Sequence, residues 1–270
     1  VIPTAFAYTR ASSLDEALAA VAGGARPIAG GQSLLPLLRL RLAAPPAIVD
    51  LRGLPELFGV CEDGDEIAVG ALTTHRAVAA DPLLRQHAPV VSQAAGGVGS
   101  LAIRNRGTIG GSLAHADPHG DLPAAVLATG GAVIARSASG ERRIDVADLI
   151  TSYLTTSLGE DEIITQVRIP KAPKSAYAKF HRRAIDWSII GVGVAIGDGG
   201  VVAAVTGAGD RPQRATGFEA VVNGGGSLDE AVAKAGEGLE PLDDLDGSAE
   251  YKRHLVGVLA RRAYEEASAL

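Results

Sequence analysis

Two glycine-rich segments, about eighty residues apart, constrain this chain more than any other feature. The first is Ala29-Gly30-Gly31-Gln32-Ser33-Leu34-Leu35-Pro36. The second is Thr108-Ile109-Gly110-Gly111-Ser112-Leu113-Ala114-His115-Ala116-Asp117-Pro118. Neither carries the lysine of a P-loop or the glycine spacing of a Rossmann turn. Both set Gly-Gly beside small hydroxyl residues, so backbone N–H groups can come close to an anion. The hydroxyls of Ser33, Thr108 and Ser112 would add donors. Either segment alone is satisfied by a tight turn. Together they read as an anion or dinucleotide cradle, built from two loops rather than from a helix-opening turn.

The elements around these segments alternate. Phe6 to Thr9 reads as a strand, and Ser13-Leu14-Asp15-Glu16 as a capping box before a helix with Leu14, Ala17, Leu18 and Val21 on one face. Arg26 to Ala29 is a short strand. Leu34 to Leu42 is helical or extended, and Ala47 to Leu51 is a strand. This is a small α/β unit of about fifty residues. A hairpin follows around Asp63-Gly64-Asp65. One helix is expected from Pro82 to Gly96 and another from Leu122 to Ala128. Strands are expected over Ala132 to Arg136, Arg142 to Asp145 and Glu162 to Ile169. The run Pro170-Lys171-Ala172-Pro173-Lys174 is the best linker candidate. Beyond it, Tyr177 to Arg183, Ser188 to Ile196 and Val201 to Gly207 read as an antiparallel meander. Ser227-Leu228-Asp229-Glu230 is a second capping box, and the last helix shows Tyr251, Leu255, Val258 and Leu259 on one face. The pattern is α+β, with residues 1–170 (parts 1–52 and 53–170) and 175–270 as the expected domains.

Composition excludes several classes. A net charge of −6 disfavours a nucleic-acid surface. One cysteine, Cys61, can form no internal disulfide and cannot hold an iron–sulfur cluster alone. It is expected to be buried and inert, in a reducing cytoplasmic setting. No secretion leader and no apolar run of transmembrane length is expected. His115, Asp117, His119 and Asp121 lie within seven residues. Pro118 and Gly120 disfavour the helical face a short ligand pair needs, so no metal is assigned there. A polar loop bonding a ligand's hydroxyls fits better, with Asp121 as an acceptor. Lys179 stands in a basic cluster that suits a solvated strand edge, or an inward face meeting an electron-rich ligand. Trp187, the only tryptophan, suits core packing or a flat apolar neighbour for an aromatic ring. No Ser/His/Asp nucleophile arrangement is present, and no catalytic residue is assigned.

The two glycine segments, followed by Leu40-Arg41-Leu42 and preceded by Arg104-Asn105-Arg106-Gly107 respectively, are similar to the flavin motifs of one family. That family is the FAD-binding medium subunit of molybdenum hydroxylases, and the likeness points within it toward aerobic carbon monoxide dehydrogenase medium subunits and their homologues. Asp117-Pro118, Asp121-Leu122-Pro123, Arg182-Arg183 with Asp186-Trp187, and Gly209-Asp210-Arg211-Pro212 continue the likeness. The resemblance implies a PCMH/vanillyl-alcohol-oxidase-type domain of two α+β subdomains holding non-covalent FAD. It adds a C-terminal domain with a three-stranded antiparallel sheet and helices. It implies partners too: a large subunit with molybdopterin cytosine dinucleotide and a small subunit with two [2Fe–2S] clusters, in a dimer of heterotrimers. Electrons would reach FAD from the clusters and leave to an external acceptor, a quinone, cytochrome, dioxygen or NAD; a membrane-held acceptor would bring peripheral contact with the inner face of a membrane.

Carried over residue by residue, the pyrophosphate cradle falls on Ala29, Gly30, Gly31, Gln32, Ser33 and Leu34 and on Thr108, Gly110, Gly111 and Ser112. Asp121 matches a contact to the sugar-like part of FAD, and Val98 one that packs on the isoalloxazine. Ile163 and Ile164 match an apolar contact of the ring. Lys179 matches a lysine near its O2/N1 end, where positive charge stabilises reduced anionic flavin. Trp187 stands where carbon monoxide dehydrogenases carry a tyrosine over the ring. Gln32 replaces a histidine of the best-known carbon monoxide dehydrogenases, which weighs against that substrate, and Ser112 replaces an asparagine of many members. The rival readings are a stand-alone FAD oxidoreductase of this fold and a scaffold that has lost its cofactor.

Overall fold

The structure is a computed structural model that describes residues 2–270. Its first layer is a parallel three-stranded sheet of β1 (Ala7–Arg10), β2 (Arg26–Ile28) and β3 (Ala47–Asp50), in the order β1-β3-β2. The crossovers are α1 (Leu14–Ala22) and α2 (Leu34–Leu40). Helix α1 buries Ala17, Leu18 and Val21, as their spacing predicts. Its capping box is shifted by one residue. Ser13 Oγ accepts the Glu16 N–H at 3.2 Å, but the Glu16 carboxylate reaches the N–H and hydroxyl of Ser12, each at 2.7 Å. Helix α2 stops where Arg41 turns left-handed at φ 57°.

The second layer is an antiparallel sheet of five strands, in the order β4-β5-β10-β6-β7. These are β4 (Val60–Asp63), β5 (Glu66–Gly70), β6 (Ala132–Ser137), β7 (Gly140–Asp145) and β10 (Ile163–Pro170). Between β5 and β6 run α3 (His75–Ala80), α4 (Pro82–His87), α5 (Pro89–Gly97), α6 (Leu101–Arg104), α7 (Ile109–His115) and α8 (Asp121–Ala128). Between β7 and β10 lie α9 (Val146–Leu149) and a small hairpin of β8 (Ile150–Ser152) and β9 (Thr155–Thr156). The single helix expected over 82–96 is two helices. Ala88, pressed by the ring of Pro89, sits at φ −150° and ψ 60°, outside helical geometry. Cys61 is exposed, not buried, because the β4 edge turns it to solvent while β5 carries the apolar face of the hairpin.

The third layer is antiparallel: β11 (Lys174–Phe180), β12 (Ile190–Gly197), β13 (Gly200–Thr206) and a two-residue β14 (Gln213–Arg214). The helices α10 (Thr216–Asn223), α11 (Leu228–Lys234) and α12 (Ala249–Ala269) complete the chain. One face of the sheet meets α12 and the other meets α5 and α8. Gly193 makes that second contact possible. A methyl group on Gly193 would reach 3.0 Å from Val90 and 3.4 Å from Ala128. The capping box at Ser227 and Glu230 is complete. Helix α12 buries Lys252, Leu255, Val256, Leu259, Ala260, Ala263 and Ala267. Tyr251 and Val258, expected on that face, lie at its margin.

The linker expected at 170–174 is short and tied down. Lys171 N–H bonds Asp65 O at 3.0 Å, and Ala172 N–H bonds His87 O at 2.6 Å. The main hydrophobic cluster also crosses this point, since Tyr177 and Ala204 join Val90, Ala94, Ala125 and Val167 in it.

Candidate cofactor site

The first glycine segment leaves β2 and opens α2. Gly31 turns at φ 77°, a conformation that glycine adopts freely. The N–H groups of Gly30, Gly31, Gln32, Ser33 and Leu34 find no acceptor among the described residues. Ser33 is the N-cap residue of α2, yet its side chain makes no capping bond. A run of unpaired N–H groups around a left-handed glycine is a concave anion receptor. Beside it, a pocket of about 140 Å³ opens between α2 and the first sheet, with Arg52 and Arg106 among its lining residues. A larger hollow of about 570 Å³, lined by Val232, Leu239 and His254, contains no residue of either glycine segment.

The second segment departs from expectation. It is the helix α7, capped by Thr108, and not a loop. Its leading N–H groups are already used. Ile109 bonds Thr73 O at 3.1 Å, Gly110 bonds Ala71 O at 2.9 Å, Gly111 bonds Thr108 Oγ1 at 3.2 Å and Ser112 bonds Thr108 O at 3.0 Å. Those amides are already bonded within the described residues, unlike the first segment's. What α7 offers is a bare surface. Gly110 lets it lie on Ala71, whose Cβ would be 2.5 Å from an added methyl group. Gly111 presents its open side toward Ala29, 3.8 Å from an added Cβ.

The two segments touch. A side chain on Gly30 would overlap the Arg106 carbonyl oxygen and lie 2.8 Å from Gly107 Cα. On its own side, Gly107 is packed by the imidazole of His75, which would stand 2.7 Å from an added Cβ. His75 is 5% exposed, and its Nδ1 has no partner among the described residues. Burial, helped by the nearby Arg104 charge, lowers its pKa to about 4, so the ring is neutral.

The remaining expected residues divide. Val98 follows α5 half-buried, its carbonyl held by Arg104 at 3.0 Å. Ile163 and Ile164 are buried in two different clusters, at 3% and 6% exposure, so little of either is left to face a ring. Trp187 is 69% exposed in the 181–189 connection, not packed in a core. Lys179 and Asp121, expected at different parts of the ligand, form one ion pair at 3.1 Å. The His115–Asp121 loop spends its polar groups on the third layer. Pro118 O accepts Thr206 Oγ1 at 2.7 Å and Gly207 N–H at 2.8 Å, and His119 Nδ1 lies 2.8 Å from Ser188 O. It is a seam between layers.

Comparison with known proteins decides the family. The model described as FAD binding domain in molybdopterin dehydrogenase matches residues 4–172. The one described as CO dehydrogenase flavoprotein C-terminal domain matches 175–267. This chain is a member of the FAD-binding medium-subunit family of molybdopterin dehydrogenases. It is 38% identical over 277 residues to the nicotine 6-hydroxylase medium subunit of Paenarthrobacter nicotinovorans, covering 98% of each chain. It is 35% identical to the glyceraldehyde dehydrogenase medium chain of Sulfolobus acidocaldarius, covering 98% of this chain and 99% of that one. Among solved structures, a chain of carbon monoxide dehydrogenase from Hydrogenophaga pseudoflava superposes with a TM-score of 0.93 at 32% identity, covering 100% of this chain and 99% of that one. The flavoprotein is thus an oxidoreductase subunit with the α+β fold of the carbon monoxide dehydrogenase flavoprotein. Among its described residues, no helix is long and apolar enough to cross a membrane.

The residues of this flavoprotein subunit fit FAD. The unpaired N–H run from Gly30 to Leu34 suits a pyrophosphate, and glycine at 111 leaves the facing helix bare. Three residues near the site escape a reading of the sequence: His75, Tyr177 and Ser188. Tyr177 alone left a usable signal, since it stands two residues before Lys179 on a strand and so shares its face.

Proposed function

We propose that this chain is the electron-transfer subunit of a heterotrimeric molybdenum hydroxylase. FAD held here takes electrons from [2Fe–2S] clusters of a small subunit and passes them to an external acceptor, while substrate is oxidised at molybdopterin cytosine dinucleotide on a large subunit. Residues 1–170 form the FAD-binding domain, residues 175–270 form the C-terminal domain, and two cytoplasmic heterotrimers pair. The observation that carries this reading is the run of five unpaired N–H groups from Gly30 to Leu34, jammed against the second glycine motif at Arg106. Backbone amides there would bind phosphate oxygens, and Ser33 and Ser112 would add hydroxyls. Trp187 and Val98 would flank the ring. Relatives named for nicotine, glyceraldehyde and carbon monoxide share this subunit type, which fits a substrate chosen on another chain.

The test is purification of the untagged complex from its host, with a visible spectrum and metal analysis. Flavin absorption with two further polypeptides, molybdenum and iron is the expected result. A colourless chain that takes up no added FAD would overturn the reading.

A further inference from the structure

A buried carboxylate of the flavoprotein, Asp121, gathers three side-chain donors from the third layer. Asp121 opens α8 and is 5% exposed. Its Oδ1 accepts from Tyr177 Oη at 2.7 Å and from Ser188 Oγ at 2.5 Å, and its Oδ2 accepts from Lys179 Nζ at 3.1 Å. Lys179 Nζ also donates to Gly97 O at 2.9 Å and to Asp186 O at 3.4 Å. An ammonium has three N–H groups, and here three acceptors surround it.

This one ion pair joins four segments: the start of α8, strand β11, the end of α5 and the 181–189 connection. Trp187 lies between two residues of the network, Asp186 and Ser188, so its backbone is gripped on both sides although its side chain faces out. Val98 follows directly on Gly97. Ser188 is held again through its carbonyl oxygen by His119 at 2.8 Å. The Tyr177 phenol is pushed well above its ordinary range by burial and then by the Asp121 charge, so it remains a donor. Gly191 leaves room for that hydroxyl, because a side chain there would overlap Tyr177 Oη.

We propose that Tyr177 and Ser188 are positioning residues of the flavin site, which through Asp121 and Lys179 hold Trp187 and Val98 at their stations. This rests on the FAD reading above. The third layer then takes part in shaping the pocket, because Tyr177, Lys179 and Ser188 all lie beyond residue 173.

Trp187 is the only tryptophan, so its fluorescence reports this connection alone. The experiment compares full chains carrying Tyr177→Phe, Ser188→Ala and, as a control, Val256→Ala, a truncation in the C-terminal core outside the network. Each is followed by time-resolved Trp187 anisotropy without FAD, and by the Kd for added FAD. We expect both network variants to show faster local depolarisation and about tenfold weaker FAD binding, as loss of a hydrogen bond to a charged group implies. Val256→Ala should lower Tm and change neither readout. The proposal is overturned where both network variants keep the wild-type anisotropy and a Kd within about twofold. It is equally overturned where Val256→Ala reproduces their changes, because general loosening then accounts for them. Should Tyr177→Phe not fold, Ser188→Ala decides alone. A wild-type chain that binds no FAD would sink the cofactor reading, and the anisotropy would still decide whether the network holds the connection.

Discussion

At the scale of single residues, adjacent glycines do different work. Gly31 is needed for its left-handed turn, whereas Gly30 is needed because Arg106 O occupies the space of a side chain. The sequence shows the pair and cannot divide the roles, since one depends on local torsion and the other on a segment far along the chain. His75 illustrates a residue whose chemistry comes wholly from its surroundings. Its folded pKa, about 4, lies below the usual value of 6.5. A depressed value means that the unfolded chain binds the extra proton first as pH falls. The stabilising contribution is therefore complete above pH 6.5 and is lost as pH falls through about 4. It amounts to about 3 kcal/mol. Urea unfolding of His75→Gln should show a shallower loss of stability between pH 6.5 and 4.5 than the wild type. Parallel pH profiles would refute this origin.

Elements were legible where local signals agree. The Ser13 and Ser227 caps, the hairpin at Asp63-Gly64-Asp65 and the apolar face of α1 all follow from short-range spacing. Pro89 should have signalled the break between α4 and α5, because a residue before proline avoids helical torsion. The helix α7 was harder to see. Gly110 and Gly111 oppose helix formation by propensity. The Thr108 cap and the bonds of Ile109 and Gly110 to Thr73 and Ala71 outweigh that. The glycines stand there because α7 must lie on Ala71 and face Ala29. Gly111→Val would place its Cβ 2.8 Å from Thr108 Oγ1. We expect a cap penalty of about 1 kcal/mol and loss of bound FAD in a chain that still folds. A flavin-to-protein ratio equal to wild type would remove α7 from the site.

For the whole molecule, the decisive fact is that the core does not stop at residue 173. Tyr177 and Ala204 join the main cluster, α5 and α8 pack against β12, and the buried Asp121 takes its side-chain donors from beyond that point. Separating the two parts would expose apolar helix faces and strand a buried carboxylate. The full chain should therefore melt as one cooperative transition in calorimetry, with equal calorimetric and van't Hoff enthalpies. Two resolved transitions would show that the junction contributes little.

The sequence by itself determined the α+β class, the family and the order of its main strands. Glycine pairs, caps and turn residues act within a few positions, so they can be read from neighbours. The tertiary structure alone decided which amides stay unpaired, that the second glycine segment is a helix with bonded leading amides, and that Cys61 is exposed. It also decided that Lys179 meets Asp121 and that their buried polar network lies on the seam of two parts. Those outcomes depend on which distant acceptors and apolar surfaces arrive beside a residue, and spacing along the chain carries no record of that.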